Sequence, residues 1–355
     1  MSKNETRVAA VQFGVGESIE RNLELSLKMI SDASEFRPKL IVLPEFINHC
    51  SWYEDNDHCY SVAVDINGDF INSISEKASQ FETFIVINCT VRREKNMVTG
   101  TNILIDQTGK VIAQSDKQVL MGNENNFLKP SDTLGPIINS SIGRLGMFSC
   151  MDGVMYETPR CIALRKAQIM CNTLNSFATD EASLHIPVRA AENKVFVVAS
   201  NKSGALVPER ARKDLATKLM IDPEKLNGAG ESQIVDPKGN ILAKAPLDGN
   251  HVIWADININ HADLKQRPDN TDIFNSRRPK IYKPIAEKPK SKTKFSKTEN
   301  VSVAVIQPDL SVNNFENYIF DEIKKLVNLG IKLIVFPELF YLNEGINVSE
   351  LNKIK

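Results

Sequence analysis

The sequence predicts an α/β domain built in layers over roughly residues 5–282. Apolar residues recur at helical spacing in residues 18–35, which indicates an amphipathic helix. The continuous apolar run KLIVL at 39–43 is typical of a strand that is buried on both faces. Turn signals at 107–109 and 236–239 separate neighbouring strand-like runs and indicate hairpins. Strands that alternate with helices, with some hairpins, favour this fold class.

The remaining elements follow from the same two patterns of hydrophobic residues, taken in chain order. Short apolar runs predict strands at 7–13, 39–43, 84–88, 101–106, 111–113, 145–149, 167–171, 195–200, 233–235, 241–243 and 252–255. Helical spacing predicts helices at 18–35, 71–80, 158–166 and 182–193.

The overall composition excludes several classes of protein. Hydrophobic residues make up 42% and charged residues 25% of the 355 residues, which is an ordinary globular balance. The net charge of −1 argues against nucleic acid or an anionic membrane as a partner. No apolar run approaches the ~20 residues of a membrane span, and no signal peptide is visible. Six scattered cysteines without a CxxC motif favour reduced thiols and a cytoplasmic location.

After residue 282 the composition changes and the chain then repeats itself. Residues 283–299 are rich in Lys, Pro, Ser and Thr, which predicts a linker. In residues 300–355, VSVAVIQPDL echoes RVAAVQFGVG, and KLIVFPELF echoes KLIVLPEFI. The matching polar residues are Gln12 with Gln307, Asn22 with Asn317, and Glu45 with Glu338.

We therefore divide the chain into a domain at 1–282, a linker at 283–299 and a partial repeat at 300–355. One strand–helix–strand unit is too small to bury its own apolar faces. We expect the repeat either to dock on another surface or to be the start of a longer tandem protein. It carries one acidic motif and no later chemical group, so no active site is assigned to it.

One cysteine stands where a nucleophile would be placed. In MFSCMDGVMYETPR (147–160), Cys150 follows a predicted strand and precedes a predicted helix. The helix dipole would lower the pKa of this thiol, and the N–H groups of the following turn could face an oxyanion. Glu45 and Lys117, after other strands, are candidates for a base and a charge stabiliser. Each residue alone also fits a plain alternative, namely a core cysteine, a surface lysine or a chance LPE.

Taken together and in this order, these residues resemble the carbon–nitrogen hydrolase (nitrilase) superfamily over roughly residues 6–282. The Glu–Lys–Cys triad of that family maps onto Glu45 in LIVLPEF, Lys117 in DKQVL and Cys150 in MFSCMD. A further family glutamate maps onto Glu124 in MGNENNF. Other matching motifs are CMDGVMYETPR, VRAAENKVFVVASN, GESQIVDPKGNIL and SRRPKIY.

The resemblance implies a four-layer α-β-β-α sandwich that forms homodimers or higher homo-oligomers and uses neither cofactor nor metal. It implies a small-molecule amide or N-carbamoyl substrate that is hydrolysed through a thioester. Glu45 would transfer protons, Lys117 and the Met151 N–H would stabilise the oxyanion, and Glu124 would orient Lys117 or the substrate. Met151 stands where nitrilases typically carry tryptophan, which favours the amidase or carbamoylase branch.

The substrate-binding candidates lie in two loops. Trp52 and Tyr53 follow Glu45, and Asn175 follows a predicted strand end; a surface loop and plain turn residues are the alternatives. The same loop holds an HC…HC pair at 49–50 and 58–59, but its spacing matches no common zinc site. We expect Asp152 and Arg160 to form a structural ion pair. Glu192 is predicted to be structural rather than catalytic.

Other functions remain open at this point. A nitrilase proper and a glutaminase-like module that supplies ammonia are alternatives within the enzymes. A non-catalytic interaction protein that keeps the fold is the alternative from another class.

Overall fold

The computed structural model describes residues 5–288, 300–309 and 311–338. The chain forms two compact units, Met1–Arg277 and Arg278–Lys355. Most of the predicted linker, residues 289–299, and the end of the predicted repeat, residues 339–355, lie outside the described residues. None of the described helices combines the length and the apolar character needed to cross a membrane.

The first unit contains the predicted strands and helices together with several short additional elements. Its strands are β1 (Glu5–Gln12), β2 (Leu40–Val42), β3 (Phe84–Arg92), β4 (Val98–Ile105), β5 (Val111–Asp116), β6 (Ile138–Ser140), β7 (Gly143–Ser149), β8 (Ile169–Thr173), β9 (Phe196–Ser200), β10 (Ser203–Ala205), β11 (Asn227–Ala229), β12 (Gln233–Val235), β13 (Ile241–Lys244) and β14 (His251–Asn258). Its α-helices are α1 (Ile19–Ser34), α2 (Asn56–Val62), α3 (Asp69–Gln80), α4 (Met151–Val154), α5 (Glu157–Leu164), α6 (Ile186–Asn193) and α7 (Glu209–Leu219).

Two six-stranded sheets form the middle of this unit. The first has the order β14-β1-β2-β3-β4-β5, and the second has the order β13-β12-β9-β8-β7-β6. The centre of each sheet is parallel, with β1, β2 and β3 in the first sheet and β7, β8 and β9 in the second. The hairpins predicted at 107–109 and 236–239 join β4 to β5 and β12 to β13.

Successive side chains of β1 point to opposite faces of the first sheet, and this alternation explains how the layers pack. Ala9 and Val11 pack against α1 and α3 on the outer face of the first sheet. Val8 and Ala10 point the other way and pack against residues of the second sheet. The second sheet packs its own outer face against α5 and α6. Helices therefore cover both outer faces of two stacked sheets, and the predicted four-layer α-β-β-α sandwich is confirmed.

The sequence patterns do not predict some elements of the first unit correctly. Helix α7 has the sequence ERARKDLATKL, which is too rich in charge to display a clear apolar stripe. The predicted helix at 182–193 begins as a π-helical turn, Glu181–His185, before α6. Strands β10 and β11 form a separate two-stranded sheet. These elements lie around the site described below.

The second unit contains the repeated pattern as β15 (Val303–Val305), α8 (Phe315–Asn328) and β16 (Leu333–Val335). The two strands pair in parallel, as β1 and β2 do in the first unit.

Candidate active site

Three strand ends meet at one edge of the sandwich and carry the predicted triad. Glu45 follows β2 and Pro44, and its backbone N–H donates to the Leu174 carbonyl at 3.1 Å. Lys117 follows β5 directly, and Cys150 follows β7 directly. The Cys150 N–H donates to the Thr173 carbonyl at 2.9 Å. The first bond joins the loop after β2 of one sheet to the residue directly after β8 in the other, the second joins Cys150 to β8, and Lys117 contacts Glu45, so the fold brings the predicted residues to the same edge.

Lys117 is fully buried between two carboxylates. Its Nζ lies 2.9 Å from Oε1 of Glu45, and it also lies 2.9 Å from Oε1 and 2.8 Å from Oε2 of Glu124. Burial would lower the pKa of Lys117, but Glu124, Glu45 and Cys150 together raise it well above its usual range. Lys117 is therefore a permanent cation in this site.

Glu45 is fully buried beside that cation. Burial raises the pKa of Glu45 to about 7, and the neighbouring Glu124 charge adds to the rise while Lys117 opposes it. A carboxyl group with a pKa near neutrality can both take up and return a proton at physiological pH.

Cys150 sits in a strained backbone conformation. Its φ of 42° and ψ of −107° are rarely adopted by a residue with a side chain, and such strain costs on the order of 1–3 kcal/mol. Burial, together with the Glu45 charge, raises the pKa of the Cys150 thiol well above its usual range. The prediction that a helix dipole lowers this pKa is wrong. Helix α4 has only four residues, and burial outweighs its dipole.

A buried polar network contains Ser149, the residue before Cys150, and sequence reasoning missed it. Ser149 Oγ accepts hydrogen bonds from Nδ2 of Asn88 at 3.0 Å and from Nδ2 of Asn102 at 2.8 Å. Thr173 Oγ1 donates to Oδ1 of Asn102 at 2.8 Å. The network joins β3 and β4 of one sheet to β7 and β8 of the other. The polar residues within the apolar runs FIVINCT and TNILID were the available signal.

Asp152 fixes the turn after Cys150, but not in the predicted way. Its carboxylate accepts from the N–H groups of Gln118 at 3.1 Å, Val119 at 2.8 Å and Ser149 at 3.3 Å. It therefore ties the Cys150 turn to the segment after Lys117. The predicted ion pair with Arg160 is wrong, because the Arg160 guanidinium lies over the Phe274 ring at 5.5 Å instead.

A side chain of helix α6 also contacts the backbone of α4. Arg189 Nε donates to the Gly153 carbonyl at 2.7 Å, and Glu192 pairs with the Arg189 guanidinium. The predicted structural role of Glu192 agrees with this contact.

Glu124 is held in a 3₁₀ turn, Gly122–Asn126, and its Oε2 accepts the Met121 N–H at 2.9 Å. Beside it opens a pocket with about 490 Å³ of empty space, its mouth included. The polar lining includes Ser51, Glu124 and the predicted binding residue Asn175. The Asn175 side-chain oxygen is buried and accepts no hydrogen bond from the described residues.

The other three predicted binding residues lie around this pocket rather than in its lining. Trp52 is half-buried and packs against the apolar cluster behind the pocket. The Arg210 guanidinium lies over its ring, 4.5 Å from the ring centroid. Tyr53 is buried with Phe46 and lies 5.3 Å from the Phe127 ring, so the surface-loop alternative is wrong for it. Met151 is the first residue of α4, where N–H groups have no acceptor within the helix.

The His and Cys residues of the HC…HC pair each make a separate local contact. His49 Nδ1 lies 2.7 Å from the Cys50 carbonyl, and His58 Nδ1 accepts the Glu54 N–H at 3.1 Å. Cys59 is buried with Phe46. Across residues 5–288, 300–309 and 311–338, no group of three or more His, Cys, Asp or Glu side chains could hold a metal ion.

Two further buried charges near the triad were not predicted. Lys202 is fully buried, its Nζ has no hydrogen-bond partner among the described residues, and burial lowers its pKa to about 8. Glu181 begins the π-helical turn, and burial, with the nearby Asp180 and Glu45 charges, raises its pKa to about 7. Neither residue lies within a matched motif, although Lys202 directly follows the motif VRAAENKVFVVASN.

Comparison with known proteins concerns the family and the fold. A family model described as carbon–nitrogen hydrolase matches residues 7–265. The sequence is 25% identical over 264 residues to a nitrilase from Pyrococcus abyssi, covering 74% of this chain and 93% of that protein. It is 22% identical over 293 residues to a deaminated glutathione amidase from Mus musculus, covering 78% and 84%.

A solved structure is similar over the same region. It is a variant of the amidase from Nesterenkonia sp. AN1 with the acetamide moiety of fluoroacetamide added covalently at its active-site cysteine. The TM-score is 0.64 at 20% identity, and the match covers 79% of this chain and 97% of that one. This likeness concerns the fold.

Proposed function

The chain belongs to the carbon–nitrogen hydrolase family, and from that premise we propose that it hydrolyses a small linear amide or N-carbamoyl compound through a thioester on Cys150. The observation that carries the proposal is Lys117, buried within 2.9 Å of both Glu45 and Glu124 and close enough for its charge to act on Cys150. A cation, a carboxyl group of near-neutral pKa and a thiol in one buried place suit acyl transfer.

The first step needs a base, because the resting thiol holds its proton. Glu45 takes this proton as the sulfur attacks the carbonyl carbon of the substrate, and a C–S bond forms. The carbonyl oxygen becomes an oxyanion. Lys117 and the N–H of Met151 stabilise it in the proposed geometry.

The carbon–nitrogen bond breaks in the second step. Glu45 gives its proton to the departing nitrogen, which leaves as ammonia or an amine, and the acyl group remains on Cys150 as a thioester. Water then attacks the thioester, and Glu45 takes a proton from that water. The carboxylic acid is released, and the thiol recovers its proton.

Ammonia release by the wild-type protein and by Cys150→Ala, with a panel of ω-amides, aliphatic amides and N-carbamoyl compounds, tests the proposal. We expect at least one substrate to be hydrolysed, and the variant to lose more than about 10³-fold in kcat. Cys161→Ala is the matched control and should keep its activity, because Cys161 lies in α5 away from the triad. Turnover that survives Cys150→Ala would contradict the cysteine mechanism.

Nitrile hydrolysis is a second candidate, because one similar protein is named a nitrilase. Nitriles are therefore added to the panel, and release of ammonia from these alone would select that candidate. Cys150-dependent release of ammonia from any amide, N-carbamoyl compound or nitrile separates either enzyme from a non-catalytic interaction protein.

The proposal also covers the organisation of the protein. We propose a cytoplasmic homodimer or higher homo-oligomer, with residues 300–355 as a partial repeat of the first strand–helix–strand unit. The matching register of the two units supports the repeat. Sedimentation of the purified protein tests the oligomeric state.

A further inference from the structure

The pocket beside Glu124 has a wall of aliphatic side chains that come mostly from one segment, residues 203–229. This segment contains β10, α7 and β11. The apolar residues that line the pocket are Phe177, Leu206, Val207, Leu215, Leu219 and Leu226.

Helix α7 presents two of these side chains side by side. Leu215 and Leu219 are four residues apart, so they lie on the same face of the helix. Both are half-buried and pack on a cluster that includes Leu206, Ala216 and Leu226. The wall therefore has a packed layer behind it and keeps its shape without a ligand.

The lining also has a polar part, which is linked to the triad because Glu124 pairs with Lys117. Asn175 follows Leu174, whose carbonyl accepts the Glu45 N–H at 3.1 Å. The buried side-chain oxygen of Asn175 has no donor among the described residues, so it can accept a hydrogen bond from the NH₂ group of an amide. A substrate whose carboxamide lies at Asn175 extends its other end toward α7.

The lining offers no free positive charge. Glu124 is the ionisable residue among the lining residues that the structure describes, and its carboxylate already pairs with Lys117. A substrate carboxylate placed against Leu215 and Leu219 would lose its hydration without gaining a partner.

We propose that the non-reacting part of the substrate is an uncharged aliphatic group that packs against Leu215 and Leu219. The enzyme then selects neutral aliphatic amides over amides that carry a carboxylate. This inference rests on the proposed function and names the substrate class of that same site.

Two amides of matched length test it. Isocaproamide carries an isopropyl group where succinamate carries a carboxylate of similar size, and the rest of each molecule is the same. We expect kcat/KM for isocaproamide to exceed that for succinamate by at least about 10²-fold, because a desolvated charge costs more than a missing methylene. Equal rates, or a preference for succinamate, would overturn the proposal.

Substitutions on α7 sharpen the test. Leu219→Lys places a cation in the wall and should lower the preference for isocaproamide at least about tenfold. Met220→Lys is the matched control, since Met220 is 92% exposed and its substitution adds the same charge outside the pocket. Leu215→Gln gives a second, uncharged change with the same expected direction if Leu219→Lys does not fold. A preference that stays the same in both pocket variants would contradict a role for this wall.

Lys202 provides the rival explanation for any succinamate activity, because its buried ammonium has no hydrogen-bond partner among the described residues. A wild-type preference for succinamate that Lys202→Met removes would assign an anionic substrate and overturn the proposal.

Failure of the proposed function has a different signature, namely no Cys150-dependent ammonia from any amide. In that case the binding of the two amides, followed by thermal shift, still tests the pocket. Tighter binding of isocaproamide supports the aliphatic site, and tighter binding of succinamate overturns it.

Discussion

The beginning of the first unit and the second unit contain the same strand–helix–strand pattern in two different surroundings. In the first, Val8, Ala9 and Ala10 of β1 pair with Leu40, Ile41 and Val42 of β2. In the second, Val303, Ala304 and Val305 of β15 pair with Leu333, Ile334 and Val335 of β16. The register is the same, and each strand pair is parallel.

Burial distinguishes these two strand–helix–strand segments. Leu40 is completely buried, whereas Leu333 is 52% exposed. The polar residues that the repeat shares also differ: Gln12, Asn22 and Glu45 are buried, and Gln307, Asn317 and Glu338 are exposed. Local sequence therefore suffices for the pairing of the two strands. The environment of the glutamate depends on the second sheet, on Lys117 and on Cys150, which the repeat does not contain.

The largest expected effect is on kcat, which should depend on Glu45 and not on Glu338. Glu45→Gln removes the proposed base but keeps Lys117 paired with Glu124, so we expect kcat to fall about 10²–10⁴-fold. Glu338→Gln is the matched control and should leave kcat unchanged, since Glu338 is exposed. Ammonia release measures both. Equal losses in the two variants would remove the distinction between the copies.

The next effect is on the free energy of unfolding. Leu40→Ala removes a fully buried side chain between the sheets and should destabilise the protein by about 2–5 kcal/mol. Leu333→Ala at the same position of the repeat should cost less than about 1 kcal/mol. Urea unfolding followed by far-ultraviolet circular dichroism measures both, and a larger loss for Leu333→Ala would reverse the comparison.

A smaller loss of stability is expected at the shared asparagine. The Asn22 side chain accepts the Gly16 N–H at 2.9 Å and donates to the carbonyls of Gly16 and Asn48, also at 2.9 Å. Asn22→Ala removes these three hydrogen bonds, although the Gly16 carbonyl still accepts the Cys50 N–H, and should cost about 1–3 kcal/mol. Asn317→Ala should change stability by no more than about 0.5 kcal/mol. The same unfolding experiment decides, and indistinguishable midpoints would argue against a structural role for Asn22.

The smallest effect is the dependence of the rate on pH. Because burial raises the pKa of Glu45 to about 7 and the base must be ionised, kcat/KM for a neutral amide should rise with pH and level off above about 7. Below that value the rate should fall about tenfold per pH unit. Glu338→Gln should leave this profile unchanged. An inflection near 4.5, the ordinary value for a glutamate, would mean that burial does not set the pKa of the base.

Much of the fold could be predicted because it depends on local patterns. The apolar runs at 39–43 and 145–149 and the helical spacing at 18–35 correspond to β2, β7 and α1. Helix α7 was missed because its charged sequence becomes helical on a packed surface that no local pattern reveals. Tertiary contacts decide such elements.

The candidate site also has one part that local motifs predict and another part that only tertiary contacts determine. Glu45, Lys117 and Cys150 were predicted from motifs at the ends of strands, and parallel strands bring such ends to one edge of a sheet. The partners of Asp152 are backbone N–H groups, those of Gln118 and Val119 more than thirty residues away and that of Ser149 close in sequence, so the nearby Arg160 was the wrong choice. The direction of the Cys150 pKa shift was also wrong, because sequence position does not reveal burial.

The sequence by itself determined which residue types stand at the strand ends, where the elements lie and where the chain repeats. Only the tertiary structure decided which glutamate becomes a buried group of near-neutral pKa, which hydroxyl and amides lie under the nucleophile, and that leucines line the pocket. The physical reason is the distance along the chain over which each effect acts. Helix and strand patterns act over a few residues, whereas desolvation and the interaction of buried charges depend on residues that only packing brings together.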